Sequence, residues 1–447
     1  MGNPVFKRKI YDELLEWKEQ RSDRYAVMIQ GARRVGKSTI AEEFARNEFR
    51  SYVLIDFAHT SEEIKALFDD TYHLDFFFLQ LQQMTHTRLY ENESVIIFDE
   101  VQLLPKARQA IKYLVADGRY RYIETGSLLT IRKNTKDILI PSEEYKIPMY
   151  PMDFEEFLWA IGDEVSADTI RMLIRSKKPA GYSMHRSLMR LFRLYMLVGG
   201  MPQAVETYLR KNNLQLVDET KRGIIDLYEE DFFKMDDTGL AGDIYDSIPA
   251  SLTSNASRYI FSNAKKSARG AQIAKVLPDM ISSYTVNIAY HSNDPGAAGM
   301  PLSKNLDKYK LFTADTGLFV TLAFKDRKYT ENIIYNKLLS DKMEVNLGYV
   351  YENIVSQMLT AKGNQLFYYT MKIGTSNHNY EIDFLISSGD KICPVEVKSG
   401  NYRNHRSLDV FCEKYSRRIK DRYVVHTRDY KWENEINYIP VYMVPFI

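Results

Sequence analysis

Cysteine is scarce in this chain, and long apolar runs are absent from it. Cys393 and Cys412 are too few for a disulfide framework and lack zinc-ligand spacing, and they suit a reducing compartment. No uninterrupted apolar stretch approaches the roughly 20 residues of a membrane-spanning helix. The opening residues, MGNPVFKRKIYDELLEW, have no apolar signal core, and Phe6 breaks the myristoylation pattern. Neither sign of charge is in excess. Sixty Lys and Arg face 59 Asp and Glu, so net charge selects no partner, although local patches remain open. These absences lead us to expect a cytoplasmic protein with no membrane partner. With 447 residues, the chain has room for roughly two to four domains, each able to bury a core.

What is present begins at Tyr25. Tyr25 to Ile29 is a short apolar run that reads as a buried strand. Gly31-x-x-x-x-Gly36-Lys37-Ser38 follows, and then a helical pattern through Ile40, Phe44 and Ala45. Strand, glycine loop and helix start are the parts of a phosphate-binding site. The glycines let backbone N–H groups turn inward, and the helix start adds its positive dipole end. Gly31, Ala32, Arg33, Arg34, Val35, Gly36, Lys37, Ser38 and Thr39 are the expected cradle for ATP. Lys37 would reach the β- and γ-phosphates, and Ser38 would offer its hydroxyl to Mg²⁺. A glycine-rich turn that binds nothing is the bland alternative, and the flanking strand and helix argue against it.

Val5 to Gln20 reads as an amphipathic helix, Tyr52 to Asp56 as a second buried strand, and Ser61 to Met84 as a helix capped by Ser61. Ser94-Val-Ile-Ile-Phe-Asp99-Glu100 is an apolar strand ending in two carboxylates, where an open α/β sheet presents its ligand crevice. Asp99 is the expected Mg²⁺ holder, and Glu100 the group that orients or deprotonates water. After a helix from Pro105 to Val115, the strand starting at Arg121 ends in Thr125-Gly-Ser127. Thr125 or Ser127 is the polar group expected between the γ-phosphate and water, with an ordinary turn as the alternative. The alternation of strands and helices predicts a parallel sheet covered on both faces.

GARRVGKST, IIFDEVQLLP, ETGSLL, YPMDFEEFL, Gly199-Gly-Met-Pro202, LFTADTGL and EIDFLI with PVEVKS occur in that order. With these motifs the chain resembles, over nearly its whole length, the prokaryotic AAA+ ATPases fused to a C-terminal PD-(D/E)xK nuclease-like domain, a largely uncharacterised family. The resemblance implies an α/β fold class. It divides the chain into an AAA+ core with a parallel sheet (residues 1–158), a helical lid (159–240), a winged-helix-like segment (241–335) and a restriction-endonuclease-like end (336–447). It also implies self-assembly, with a hexameric ring as one form. One feature departs from the family. Members often carry a Gly-Arg pair before the strand corresponding to Tyr145 to Tyr150, and here that place reads Ile140-Pro-Ser-Glu. The arginine finger therefore has no assigned position, and Arg132 stands in as a candidate.

Residues 153–235 are apolar at helical spacing and read as core, with Gly199 to Pro202 as a turn. Helices over Ile244–Ser251 and Ala271–Ser283, followed by strands over Thr285–His291 and Lys308–Ala314, suit a winged helix. Arg258, Lys265, Lys266, Arg269 and Lys275 face only Asp279, a patch that fits phosphate neutralisation or a solvated helix face equally.

In the last segment a helix starts at Gly348 and carries Glu352. Glu381-Ile-Asp383-Phe-Leu-Ile386 and the strand Lys391 to Ser399, with Pro394-Val-Glu396-Val-Lys398 inside it, read as a hairpin. Charges inside apolar strands are costly unless paired or metal-bound. Asp383 and Glu396 are the expected ligands of Mg²⁺ or Mn²⁺, Lys398 would activate water, and Glu352 would complete the site. The bland alternative is a fold that binds without cutting, held by carboxylate–lysine pairs. From Lys398 to Glu433, ten Lys and Arg stand against five Asp and Glu, with Tyr402, Tyr415 and Tyr423 interspersed, a mixture able to follow a phosphate backbone.

Together these features lead us to expect a Mg²⁺-dependent ATPase coupled to DNA binding and metal-dependent cleavage. The alternative is a nucleotide-gated switch that holds DNA or a protein without cutting. A third form is an ATPase acting on protein, with the C-terminal domain as adaptor.

Overall fold

The computed structural model describes residues 5–71, 73–126, 141–254, 257–260, 264, 270–297, 299–326, 328–339, 348–372 and 379–447. Ser127, Arg132, Lys265, Lys266 and Arg269 lie outside the described residues. The chain forms two compact units, Met1–Tyr150 with Ser282–Tyr284, and Pro151–Ile281 with Thr285–Ile447. Among the described residues, no helix is long and apolar enough to cross a membrane.

The first unit opens with α1 (Ile10–Gln20). It continues through β1 (Ala26–Gly31), α2 (Lys37–Glu48) and β2 (Ser51–Asp56). Then come α3 (Glu62–Ala66), α4 (Leu74–Thr85), β3 (Ser94–Asp99), α5 (Pro105–Asp117), β4 (Arg121–Gly126) and β5 (Glu144–Met149). All five strands run parallel in the order β2-β3-β4-β1-β5. β1 and β3 are buried along their whole length, as strands covered on both faces must be. Strand alternation divides their side chains between two cores. Met28, Ile96 and Phe98 face α4 and α5, whereas Val27, Ile29, Val95 and Ile97 pack with α1 and α2.

The helix expected from Ser61 to Met84 is two helices. Ser61 does cap the first, accepting from the Ile64 amide. The chain then turns through a 3₁₀ segment, Leu67–Asp69, which sends Phe68 into an edge-on cluster with Phe57, Phe77 and Phe98. Burial of those rings outweighs local helical pattern.

Gly31 is fixed by packing. A Cβ there would lie 2.3 Å from the Met149 carbonyl oxygen on β5. Side-by-side pairing of Asp56 with Asp99 brings the strand ends level, so that the carboxyl edge of the sheet gathers the polar residues.

The second unit begins with helices Phe154–Ala160, Ser166–Ser176, Tyr182–Val198, Pro202–Lys211, Leu214–Met235 and Leu240–Thr253. It then builds a mixed eight-stranded sheet from β6 (Val286–Ser292), β7 (Lys304–Thr313), β8 (Leu366–Lys372), β9 (Asn379–Ser388) and β10 (Lys391–Val397). β11 (Arg422–His426), β12 (Lys431–Glu433) and β13 (Ile436–Pro440) complete it. Its order is β12-β13-β11-β10-β9-β8-β6-β7. The hairpin β6–β7 is antiparallel, as the sequence predicts, but β6 also pairs in parallel with β8. A division at 335/336 therefore runs through one sheet. Strand pairing between distant segments leaves no trace in local periodicity.

The Gly199-Gly-Met-Pro and ADTGL motifs meet in this unit. Asp315 accepts from the Gly200 amide at 2.5 Å and caps the helix Thr316–Ala323 through the Leu318 amide. Gly199 takes a left-handed φ of 84°, and a Cβ on Gly200 would lie 2.1 Å from the Met152 oxygen. Lys221 donates to the Leu197 and Gly317 carbonyls, and burial lowers its pKa to about 8. These motifs are structural: their charged groups face only the interior.

Candidate nucleotide and metal sites

The loop between β1 and α2 has the shape its sequence predicts. Arg34 and Gly36 take left-handed φ values of 67° and 101°. Gly36 occupies the N-cap position of α2, and no side chain caps the helix. Ser61, Asp153 and Asn213 cap helix starts elsewhere in this chain with a side-chain oxygen. At α2 a helix start of this kind, with the dipole behind it, favours an anion. Lys37 is buried and folds back to donate to the Gly31 and Ala32 carbonyls at 3.1 and 3.0 Å.

The metal-side residues are assembled on one oxygen. Ser38 Oγ donates to Asp99 Oδ1 at 2.7 Å, and Thr125 Oγ donates to the same atom. β1 and β3 flank β4, and the parallel ladder carries Asp99 and Thr125 to neighbouring strand ends. A carboxylate and a hydroxyl on adjoining elements are the oxygen donors Mg²⁺ prefers, so the residues present fit that ion. Glu100 follows in a left-handed conformation, φ 53°, and its amide hydrogen-bonds Thr125 Oγ at 3.4 Å. That backbone is costly for a residue with a Cβ and turns Glu100 away from the strand direction. Its Oε2 accepts from Gln102 Nε2. Of the loop residues, Ala32 and Val35 are buried, Arg33 and Ser38 half-buried, and Arg34 and Thr39 exposed.

Beneath this edge lies a buried charge set that the sequence did not suggest. Arg108 makes two bonds to Glu144, at 2.6 and 2.7 Å, and both side chains are almost fully buried. Glu124, in the middle of β4, is fully buried, and both its oxygens lack a hydrogen-bond partner among the described residues. Burial, then the neighbouring Glu144 charge, pushes the Glu124 pKa well up.

In the second unit, β9 and β10 place Val395 opposite Phe384, so one step further brings Asp383 beside Glu396. Asp383 accepts from the Val397 amide at 2.7 Å, and Lys398 Nζ pairs with Glu396 Oε1 at 2.6 Å. Glu396 is buried, and its Oε2 lacks a hydrogen-bond partner among the described residues. Burial and the Asp383 charge push its pKa to about 7, against the pull of Lys398. An orphaned carboxylate oxygen beside a second carboxylate fits a hard divalent ion.

Glu352 is not bonded to this pair. It lies 3.5 Å from Lys310 Nζ on β7, which also bonds Glu381 at 2.5 Å. Partial burial, with Asp383 and Glu381 nearby, raises the Glu352 pKa to about 7. Among the described residues, no group of three or more His, Cys, Asp or Glu side chains is arranged to hold a metal. Glu381 and Lys310 escaped sequence reading. Lys310 had a usable signal, since it stands alone in Tyr309-Lys-Leu-Phe-Thr, the same anomaly that marked Asp383.

The basic patches survive in part. Arg258 and Lys275 are exposed. Two of the three tyrosines are engaged by neighbours. Tyr402 stacks on His426 at 4.4 Å, and Tyr415 bonds Tyr369 and packs on Phe411.

Three family models match the chain. Residues 23–158 match an AAA domain, and residues 189–329 and 347–444 match two domains of unknown function. No curated protein matches the chain. Among solved structures, a Walker-type ATPase of Pyrococcus abyssi is 16% identical and covers 71% of this chain and 96% of its own, with a TM-score of 0.45. PCH-2 of C. elegans is 12% identical over 47% and 65%, at 0.27. Cdc6p of Pyrobaculum aerophilum is 13% identical over 77% and 98%, at 0.25. At these scores none of the three carries an argument about function. The AAA domain match and the five-stranded parallel sheet agree on an ATPase-type P-loop domain at the N-terminal end.

Proposed function

We propose that the chain is a Mg²⁺-dependent ATPase whose nucleotide cycle acts on DNA held, and cut, at the C-terminal carboxylates. The observation that carries the ATPase half is the Ser38–Asp99 bond beside the uncapped start of α2. Lys37 leaves its two carbonyls and donates to the β- and γ-phosphates, while the amides of the first turn of α2 receive the phosphate oxygens. Ser38 and Asp99 would hold Mg²⁺, which supplies positive charge against the phosphates when bound. Glu100, released from Gln102, orients the attacking water and accepts its proton. Thr125 holds Asp99 in place. Residues 159–240 would respond to the nucleotide state, and assembly into a ring would supply an arginine to each site.

At the other end, Asp383 and Glu396 would hold Mg²⁺ or Mn²⁺, which supplies a polarised phosphate and a more acidic water. Lys398, anchored on Glu396, would place that water and stabilise charge on the phosphate. Exposed Arg258 and Lys275 would contact the DNA backbone.

The test is cleavage of labelled linear duplex, single-stranded, forked and four-way DNA with Mg²⁺ or Mn²⁺, with and without ATP. Cutting lost in Lys398→Ala supports the C-terminal site, and Lys37→Ala reports whether ATP gates it. A second reading is a nucleotide-gated switch that binds without cutting. It draws support from the two lysines that already neutralise carboxylates there. Intact ATP turnover with no cutting on any substrate would select it.

A further inference from the structure

Lys310 is the anomaly of the second unit. It projects from the edge strand β7, and although β6 and β8 separate β7 from β9 in the sheet, its ammonium bonds Glu381 at 2.5 Å and lies 3.5 Å from Glu352. Its side chain is almost fully buried. An ammonium is not buried without compensation, and these two carboxylates supply it. They also raise its pKa, so the charge persists at neutral pH.

We infer that the Lys310 ammonium fills the place between Glu352 and Glu381 where a second divalent cation would sit, so that this site takes one ion, on Asp383 and Glu396. The inference rests on the metal-site reading above. Two observations carry it. Glu352 and Glu381 have their cation already, whereas Glu396 Oε2 is buried without a partner. Asp383 also interacts electrostatically with each of the other three carboxylates, so they share one field rather than forming separate pairs.

The consequence is a functional assignment. Glu352, expected as a catalytic partner, positions Lys310 and does not bind metal. Lys310 becomes the fixed positive charge opposite the metal, held in place by both carboxylates.

The experiment is a Mn²⁺ titration of the full, nucleotide-free chain read by electron paramagnetic resonance, for wild type, Lys310→Met and Asp383→Asn. The Asp383→Asn titration marks which ions belong to this site. One Asp383-dependent ion in wild type, rising to two spin-coupled ions in Lys310→Met, is the expected result. Two coupled ions in wild type would overturn the Lys310 assignment and leave the metal reading standing, and that outcome does not require Lys310→Met to fold. One ion in both proteins would also overturn it. No Asp383-dependent ion in either would overturn the metal reading on which the inference rests.

Discussion

In the phosphate loop, the groups proposed to meet a ligand come from nine consecutive residues, Gly31 to Thr39, and most of them are backbone amides. In the C-terminal cluster the proposed groups come from β7, the helix Gly348–Ala361, β9 and β10, and all of them are ionisable side chains. The two arrangements fail differently. A loop of amides has partners in water when its ligand leaves, and Lys37 has two carbonyls to fall back on. A cluster of buried side-chain charges has only itself, so each lysine is also a structural member.

That contrast gives the largest expected effects. Lys310→Met should destabilise the second unit by about 3–5 kcal/mol, because it leaves carboxylates uncompensated. Lys37→Ala should cost about 1 kcal/mol in stability, the worth of ordinary hydrogen bonds, and yet lower nucleotide affinity by about 100-fold. Denaturant unfolding and nucleotide titration check both. Equal stability losses for the two lysines would break the comparison.

Glu100→Gln should keep nucleotide affinity and lower ATP turnover by about 10²–10⁴-fold, since it removes a proton acceptor without removing a phosphate contact. Single-turnover kinetics distinguishes this from a binding defect. Gly31→Ala should destabilise the first unit by about 1–3 kcal/mol, because its methyl would meet the Met149 carbonyl oxygen. That would show that packing against β5, as well as phosphate binding, requires the glycine.

The last effect depends on pH and concerns Glu124. Its pKa is raised in the folded state, so the folded protein holds this proton more tightly than the unfolded chain does. The associated stability is present at low pH and declines as pH rises above the ordinary carboxylate range, by up to about 1.4 kcal/mol per unit. Glu124→Gln should remove that decline. Its melting temperature should match wild type near pH 5 and exceed it near pH 8.

Legibility in the sequence follows the same contrast. The placement of the loop, Asp99 and Glu100 at the strand ends could be read because strand, loop and helix are consecutive. Asp383, Glu396 and Lys398 could be read because charges inside apolar strands are conspicuous. Their partners could not. Nothing local ties Lys310 to Glu381, 71 residues away, and the parallel pairing of β6 with β8 that places β7 in the same sheet joins segments about as distant. Glu124 looked like one polar residue in a strand end, and only burial against Arg108 and Glu144 shows that it is not solvated. The break in the helix after Ala66 was hidden because the aromatic cluster that causes it spans four segments.

The central claim is that ATP turnover at the loop and DNA at the C-terminal cluster belong to one cycle. Steady-state ATP hydrolysis by the full chain, with and without the four DNA forms, tests it most directly. The account predicts that at least one DNA form raises turnover in wild type, and that Glu100→Gln removes the increase. Turnover that no DNA changes would contradict it.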